Sequence, residues 1–101
     1  MNQKLTRLNE GRASLIILKV LHEKGKLDKQ TLAFEVRKLG PGRTSFESSL
    51  RICQELGLVK VELERIHPKG QASLMHHLTE KGRRVAEIVA ELEKALKEGG
   101  F

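Results

Sequence analysis

The sequence contains no tryptophan and no tyrosine, and phenylalanine occurs only three times. A core without large aromatic side chains must be built from leucine, isoleucine, valine and alanine, and such a core is more typical of packed helices than of a β-sandwich. With 101 residues and 39% hydrophobic content, the chain has enough apolar material for one modest core. We therefore expect a mainly helical protein with one structural domain.

Cysteine occurs once, as Cys53, which excludes an internal disulfide framework and favours a reducing compartment. The longest apolar run is the four residues from Leu15 to Leu18, which is far too short to span a membrane. The N-terminal residues also lack the apolar stretch of a secretory signal peptide. These absences predict a soluble protein of the cytoplasm, associated with the nucleoid if it binds DNA.

Positive charge is in excess, with a formal net charge of +6 and an isoelectric point near 9.8. The excess is uneven: residues 1–28 carry a net charge of +3, residues 29–57 carry +2, residues 58–78 carry +1, and residues 79–101 carry zero. A basic N-terminal three quarters suits a polyanionic partner such as nucleic acid. Many basic proteins bind no nucleic acid, so composition alone leaves that question open.

Two helices are predicted in the first forty residues by apolar periodicity and capping signals. Residues 1–11 form either a polar arm or a short extra helix. Apolar residues recur at helical spacing from Arg12 to Lys24, and Gly25 follows as a C-cap. Asp28 is the candidate N-cap of a second helix, which the turn at Gly40–Pro41–Gly42 ends.

A third helix is predicted to begin at Thr44, because Thr44 and Glu47 have the spacing of a capping box. Gly57 ends this helix. Its outward side is mostly serine, arginine and glutamine, and that composition raises the question of what the side binds. The residues that turn inward are Phe46, Leu50 and Cys53.

A β-hairpin and a long helix are predicted after the third helix. "LVKVELE", residues 58–64, alternates apolar and charged side chains and predicts a half-buried strand. "HPKG", residues 67–70, predicts a turn, and "ASLMHHL", residues 72–78, predicts the partner strand. Thr79 is the N-cap of a helix that reaches about Glu98. The predicted inner face of the second strand consists of Leu74, His76 and Leu78.

This order of helices and hairpin is the plan of a winged helix-turn-helix domain. "SSLRICQELGLVKVE", residues 48–62, resembles the third helix and first wing strand of winged-helix regulators. "HHLTEKGRRVAEIV", residues 76–89, resembles their second wing strand and closing helix, although His76 stands where an aromatic residue is common. The resemblance covers residues 12–98 and is closest to small prokaryotic regulators, especially archaeal ones, of the MarR-like and PadR-like kind.

The resemblance implies a fold with a three-helix core, a two-stranded β-hairpin wing and a long C-terminal helix. Residues 12–78 would form the winged-helix part, and residues 79–101 would form a dimerisation helix. The first motif lies in the third helix and the second in the closing helix, so together they imply both a DNA-reading element and a means of pairing two copies.

If the third helix enters the major groove, the side chains outside its buried stripe meet phosphates and base edges. Serine hydroxyls suit phosphates, arginine can bind O6 and N7 of guanine, and glutamine can bind N6 and N7 of adenine. An ordinary solvated face is the alternative. Glu47 can accept a hydrogen bond from a cytosine amino group, although the capping box explains its position more simply.

The wing and the start of the second helix add candidate phosphate contacts. The predicted DNA-binding residues are Lys29, Arg43, Thr44, Ser45, Ser48, Ser49, Arg51, Gln54, Lys60, Arg65, His67, Lys69 and Gln71.

The last predicted helix has an apolar seam on one side and mixed charges elsewhere. Its roughly nineteen residues make a rod on the order of 28 Å long, which is too long for so small a domain to cover. Packing on the chain's own core accounts at most for Val85 and Ile88, so the distal leucines require a partner. We therefore expect a homodimer. The predicted interface residues are Val85, Ile88, Val89, Leu92 and Leu96.

No pattern in the sequence indicates catalysis, a cofactor or a metal. The four histidines lack ligand spacing, and the adjacent strand residues His76 and His77 point to opposite faces. No nucleophile–base pair or glycine-rich phosphate loop is present. Cys53 occupies an apolar position, so a buried small hydrophobe is favoured over a redox sensor. We predict a protein that is not an enzyme and uses no cofactor.

These patterns together predict a homodimeric transcriptional regulator that binds a specific double-stranded DNA site. The third helix would lie in the major groove, and the wing would contact the backbone or the minor groove. Two other functions remain open for a winged-helix fold, namely a protein-interaction module and a non-specific architectural chromatin protein. Salt-dependent DNA binding separates the regulator from the first alternative, and a footprint at a defined site separates it from the second.

Overall fold

Five helices and three strands make up residues 2–65 and 70–98, which are the part of the chain described by the computed structural model. The mainly helical winged-helix architecture with a long C-terminal helix is confirmed. None of the described helices is both long enough and apolar enough to cross a membrane. The elements in chain order are α1 (Gln3–Glu10), α2 (Ser14–Lys24), β1 (Leu27–Asp28), α3 (Lys29–Arg37), α4 (Arg43–Glu55), β2 (Val59–Glu64), β3 (Ser73–Leu78) and α5 (Glu80–Glu98).

The N-terminal segment is a short helix and not an arm. Asn2 is its N-cap, because the Asn2 side chain accepts a hydrogen bond from the backbone N–H of Lys4 at 2.7 Å. The helix packs against α4, and Arg7 donates to the Glu55 carboxylate at 2.9 Å. This second contact joins α1 to the C-terminal end of α4.

Helices α2 and α3 follow their sequence signals, with shifted ends. The second helix begins at Ser14, two residues after the predicted Arg12, and ends at Gly25, whose φ of 79° lies in the left-handed region that favours glycine. The Asp28 carboxylate accepts a hydrogen bond from the Thr31 N–H at 2.8 Å, so the predicted N-cap of α3 is confirmed. The regular part of α3 ends at Arg37.

The predicted capping box at Thr44 is wrong. The N-cap of α4 is Gly42, whose extended backbone follows the turn directly and whose carbonyl accepts the first helical hydrogen bond from Phe46 N–H at 3.0 Å. Thr44 therefore lies inside the first turn, where its side chain cannot cap the helix. Glu47 instead forms an ion pair with Lys29 at the start of α3, at a distance of 3.0 Å.

The sheet has three strands and not the predicted two. Strand β3 lies in the middle and pairs antiparallel with β1 on one side and β2 on the other. The added strand is only two residues long and places Leu27 opposite His76. A pair of residues is too short to produce the alternation that reveals a strand in a sequence.

Burial along the wing strands decreases with distance from the helices. Val59 lies opposite Leu78, and both are buried. Further along, Leu63 lies opposite Leu74, and these side chains are 67% and 56% exposed. Leu74 therefore shares a strand face with His76 and Leu78, as predicted, but does not share their burial. Most of the predicted "HPKG" turn lies outside the described residues.

His76, at the position where the sequence resemblance implies an aromatic residue, is buried in the middle of the sheet. It is only 3% exposed and lies opposite Val61 on one neighbouring strand and Leu27 on the other. Burial lowers the pKa of His76, because a charged imidazole is poorly solvated there. The neutral ring therefore serves as a core side chain.

The hydrophobic core forms around α2, which contacts α3, α4, α5 and β3. Every helix except the short α1 contributes fully buried side chains to it, so the helices and the wing base share one core. The buried core residues are Ala13, Ile17, Leu18, Val20, Leu21, Leu32, Val36, Phe46, Leu50, Cys53, Leu58, Val59, Leu78 and Ala86.

The start of α5 is joined to the end of α4 through backbone groups. The Thr79 side chain accepts a hydrogen bond from Gly82 N–H at 2.9 Å, so the predicted N-cap is confirmed. The Thr79 hydroxyl also donates to the Gly57 carbonyl at 2.6 Å, and its N–H donates to the Leu58 carbonyl at 3.0 Å. We call this contact between residues 57–58 and residues 79–82 the α4–α5 junction.

Gly82 is required at the junction because a Cβ there would overlap the Leu58 carbonyl oxygen and lie 2.8 Å from its carbon. We expect Gly82→Ala to lower the free energy of unfolding by about 2–3 kcal/mol, as overpacking does, although alanine favours helix formation. Gly42→Ala is the matched control, since a Cβ at Gly42 meets no atom within 4 Å. It should cost less than about 1 kcal/mol. Urea denaturation of both variants measures the difference, and equal losses would contradict the proposed close contact.

Candidate nucleic-acid interface

Helix α4 divides into a buried side and an exposed side. Phe46, Leu50 and Cys53 are buried, as predicted, and Ile52 is also buried at 5% exposure. Ser45 and Glu47 are partly exposed. The exposed members of the predicted set on this helix are Arg43, Thr44, Ser48, Arg51 and Gln54.

Ser49 is not part of the exposed side, and its assignment as a DNA contact is wrong. The residue has no exposed surface, and its hydroxyl accepts a hydrogen bond from Ala13 N–H at 2.9 Å. The physical reason is helical register, because Ser49 lies three residues after Phe46 and four before Cys53, on the buried stripe. A serine in this position fits beneath Gly11, where a Cβ would lie 3.0 Å from the Ser49 hydroxyl.

Arg43, Glu47 and Arg51 form one row on the surface of α4, because residues four apart lie one above another on a helix. We call these three residues the Arg–Glu–Arg row. Within residues 2–65 and 70–98, neither arginine of the row pairs with a carboxylate. Glu47 is paired across the helix boundary with Lys29. The row therefore presents two unpaired guanidinium groups on either side of an oriented carboxylate.

A groove of about 540 Å³ lies beside this row, between α3 and α4. Two residues that line the groove, Lys29 and Arg43, were predicted from the sequence as DNA contacts. Three others, all on α3, were not predicted: Gln30, Phe34 and Arg37. Phe34 is 61% exposed, and Lys38 Nζ lies 5.1 Å from the centre of its ring. The available signal was the spacing of Gln30, Phe34 and Arg37 by four and three, which puts all three on one outward face of α3.

Ser48 is exposed, but its hydroxyl is within hydrogen-bonding distance of carbonyl groups of its own helix. The oxygen lies 3.1 Å from the Thr44 carbonyl and 3.3 Å from the Ser45 carbonyl. When the hydroxyl proton is donated to either carbonyl, the oxygen can still accept a hydrogen bond but cannot donate one to a phosphate. Thr44 is therefore the better donor at this end of α4.

Lys60 lies on the side of β2 opposite Val59 and Val61, because successive strand residues alternate. Its Nζ is 3.0 Å from the Glu62 carboxylate, and this hydrogen bond lowers the pKa of Glu62. Lys60 and Lys29 are thus both paired with carboxylates, in contrast to the arginines of α4. Their assignment as phosphate contacts stays a prediction.

Two of the four wing candidates can be placed. Arg65 and Gln71 are exposed at the ends of the wing, next to β2 and β3 respectively. His67 and Lys69 lie outside the described residues. Arg65, like the arginines of the row, has no carboxylate partner within the described ranges. The wing therefore offers a cation at its outer end.

Cys53 lies beneath α4 and does not take part in its exposed surface. The thiol is fully buried and points toward the Ser14 carbonyl at 3.9 Å. Burial raises the pKa of the Cys53 thiol to about 11, so it is protonated at neutral pH and not a reactive thiolate. This supports its interpretation as a small core side chain. Among the residues that the structure describes, no group of three or more potential ligands is arranged to bind a metal.

The predicted dimer seam on α5 is largely uncovered. Val85 packs against the core, whereas Ile88, the other residue of the seam that the chain's own core could have covered, is 66% exposed. Leu92 and Leu96 are 54% and 73% exposed. The seam continues across a shallow groove onto Leu15 of α2, which is 43% exposed.

An ion pair anchors the middle of α5 beside this groove. Lys19 Nζ of α2 lies 2.7 Å from the Glu93 carboxylate, and the hydrogen bond lowers the pKa of Glu93. This ion pair joins α2 and α5 next to the exposed leucines. Part of the apolar surface therefore lies where α5 packs against α2.

Solved structures of PadR-type and MarR-type proteins have the same fold. A PadR family transcription regulator from Clostridium difficile R20291 has a TM-score of 0.71 and 20% sequence identity, over 87% of this chain and 93% of its own. A protein from Porphyromonas gingivalis W83, assigned to the MarR family of transcriptional regulators, has the same score and identity over 95% and 88%. A PadR-like transcription factor from Bacteroides fragilis has a TM-score of 0.61 and 18% identity over 96% and 91%.

The chain therefore has the winged-helix fold of these regulators, as the sequence resemblance predicted. No protein-family model matches the chain, and no curated protein matches its sequence. The identities are low, so the shared property is the fold.

We expect Cys53→Ala to lower the free energy of unfolding by about 1 kcal/mol, because it leaves a small cavity, and to leave DNA affinity unchanged. The native thiol should also react with iodoacetamide far more slowly than the thiol of the unfolded chain. Denaturation, labelling and binding measurements check these results. Reversible loss of DNA binding on mild oxidation, absent in the alanine variant, would show instead that Cys53 is a sensor.

Proposed function

We propose that this protein is a homodimeric transcriptional regulator that binds a specific double-stranded DNA site and is not an enzyme. The observation that carries the proposal is the exposed side of α4, where Arg43 and Arg51 lie without carboxylate partners on the third helix of a winged-helix core. Unpaired guanidinium groups on a helix of this kind suit guanine edges and phosphates in the major groove.

Two further observations support this function. The positive charge is concentrated in the first three quarters of the chain, which contain α4 and the wing. The proteins with the same fold include transcription regulators of the PadR and MarR types. A DNA-binding role would place the protein in the cytoplasm, at the nucleoid. The proposed DNA contacts within the described part are Arg43, Thr44, Ser45, Ser48, Arg51, Gln54, Arg65 and Gln71, with Lys29 and Lys60 after release from their carboxylates.

The proposed dimer rests on the apolar surface of α5. Ile88, Leu92 and Leu96 are each more than half exposed, and Leu15 extends the surface onto α2. A second copy that covers these side chains would bury them while the lysines and glutamates of α5 remain in water. The seam lies on the helix that starts at the α4–α5 junction, so the same joint links the proposed interface to α4.

Dimerisation would set the distance between the two copies of α4. Two major grooves on one face of DNA lie about 34–36 Å apart, so a dimer with that spacing can read both half-sites at once. Each copy alone would bind only a half-site. The affinity of the regulator would therefore depend on α5 as well as on α4.

Arg51→Ala is expected to weaken binding to the specific site by about 1–3 kcal/mol, because a base contact is lost. Arg43→Ala should have an effect of the same order. Arg83→Ala is the control, since it removes the same charge beside His22 and Lys26 and not on α4. It should produce only a small loss. Fluorescence anisotropy at several salt concentrations measures these differences, and three equal effects would show that α4 does not read DNA.

Leu92→Glu with Leu96→Glu is expected to give a folded monomer, because four charges would meet in the seam of a dimer. Affinity for a full site should fall to that for a half-site. Lys94→Ala with Lys97→Ala changes the net charge by the same amount without altering the seam, and this control should remain a dimer. Sedimentation equilibrium separates the outcomes. A parent protein that is monomeric at micromolar concentration would refute the proposed dimer.

A further inference from the structure

The ion pair of Glu47 with Lys29 does not explain why a carboxylate lies between the two unpaired arginines on the exposed side of α4. Glu47 does not cap the helix, because Gly42 is the N-cap. Its side chain is 45% exposed, in the row between Arg43 and Arg51. A carboxylate at that position repels the phosphates of any DNA that the two arginines attract. It therefore weakens binding unless the carboxylate itself accepts a hydrogen bond from the DNA.

Glu47 is oriented before any ligand arrives. Lys29 Nζ, from the first turn of α3, lies 3.0 Å from Glu47 Oε2. Among the described residues, the contact of Glu47 is made by Oε2, and no partner is recorded for the other carboxylate oxygen, Oε1. The ion pair thus restrains the side chain and leaves one oxygen available as an acceptor. Restraint of this kind reduces the entropy cost of forming a specific contact.

The chemistry of the major groove selects the base that fits a carboxylate. An ionised carboxylate only accepts hydrogen bonds, and the major groove offers amino donors on cytosine N4 and adenine N6. Adenine places the N7 acceptor next to its amino group, and two acceptors facing each other repel. Cytosine has no acceptor on that edge, so a cytosine is the best partner for Glu47.

We infer that Glu47 reads the N4 amino group of a cytosine, with Lys29 retained as its positioning residue instead of released to a phosphate, and that this contact gives α4 a specificity that the arginines alone do not supply. The inference rests on the proposed DNA binding. Successive members of the Arg–Glu–Arg row are about 6 Å apart along the helix axis. This is close to two base-pair steps of about 3.4 Å. With the axis of α4 along the groove, the row would favour a half-site with guanines on either side of the cytosine contact.

The test is selection of binding sites from random double-stranded DNA with the parent protein, Glu47→Gln and Glu55→Gln. Glu55 is a matched control because it lies on the same helix and also pairs with a cation of another helix, Arg7, at 2.9 Å. Both substitutions remove one negative charge. They differ in position, since Glu55 lies two turns beyond Glu47 and one turn beyond Arg51.

The parent should select a cytosine at one position of each half-site. Glu47→Gln should lose that preference and shift toward adenine, because a carboxamide can bind both N6 and N7. Glu55→Gln should keep the parental sequence and at most bind all DNA somewhat more tightly. On the selected site, replacing that cytosine by thymine should weaken the parent by about tenfold or more and Glu47→Gln by much less.

Lys29→Met tests the positioning role through the ratio of affinities for the cytosine and thymine sites. A lost phosphate contact lowers both affinities alike and leaves the ratio unchanged, whereas a misplaced Glu47 lowers the ratio. A ratio equal to that of the parent would refute the role of Lys29. Glu47→Gln with the parental site preference would overturn the cytosine contact alone. A parent that selects no sequence would overturn the proposed specific binding and the cytosine contact together.

Discussion

The rest of the structure depends on the backbone contact at the α4–α5 junction. The Leu58 carbonyl accepts the Thr79 N–H at 3.0 Å, and the Leu58 N–H donates to the Cys53 carbonyl at 2.9 Å. The last turn of α4, Leu58 three residues after its end and Thr79 at the N-cap of α5 are therefore joined through main-chain groups. Gly82 lets these backbones approach more closely than any larger residue would. Because the joint is made by main-chain groups and the short side chain of Thr79, it sets the direction of α5 relative to α4 with little freedom.

A second rigid contact supports the opposite side of α4. The Ser49 hydroxyl accepts the Ala13 N–H at the start of α2, so the turn between α1 and α2 is attached to the middle of α4. Helix α2 also packs on α5 and is paired with it through Lys19 and Glu93. The proposed reading surface and the proposed dimer seam thus belong to one packed unit. If two copies pair through α5 as proposed, the spacing of their α4 helices follows from packing and not from a flexible linker.

The sequence predicted those features whose causes are local. Asp28 and Thr79 were identified as N-caps because a capping side chain contacts the backbone only three residues ahead. The wing strands were found because β2 alternates over six residues. Two of the differences have non-local causes. Strand β1 exists because β3 supplies its partners, and Glu47 faces Lys29 because α3 crosses near the start of α4. The two partners in each of these contacts are too far apart in the sequence for a local pattern to reveal them. The burial of Ser49 follows instead from its helical register with Phe46 and Cys53, a signal that the sequence did contain.

The ion pairs on the surface reduce how much of the excess positive charge is free to bind phosphates. Arg7 is paired with Glu55, a partner 48 positions away, and Lys29 and Lys60 each have a carboxylate at 3.0 Å. A cation that is already paired with a carboxylate contributes less free energy to phosphate binding, because the first ion pair must be broken. The dependence of DNA affinity on salt should therefore be shallower than the number of basic residues suggests. A larger share of the binding free energy would then come from base edges, which the unpaired arginines of α4 are proposed to contact. Such a surface is better suited to one sequence than to uniform coating, which favours a regulator over an architectural protein.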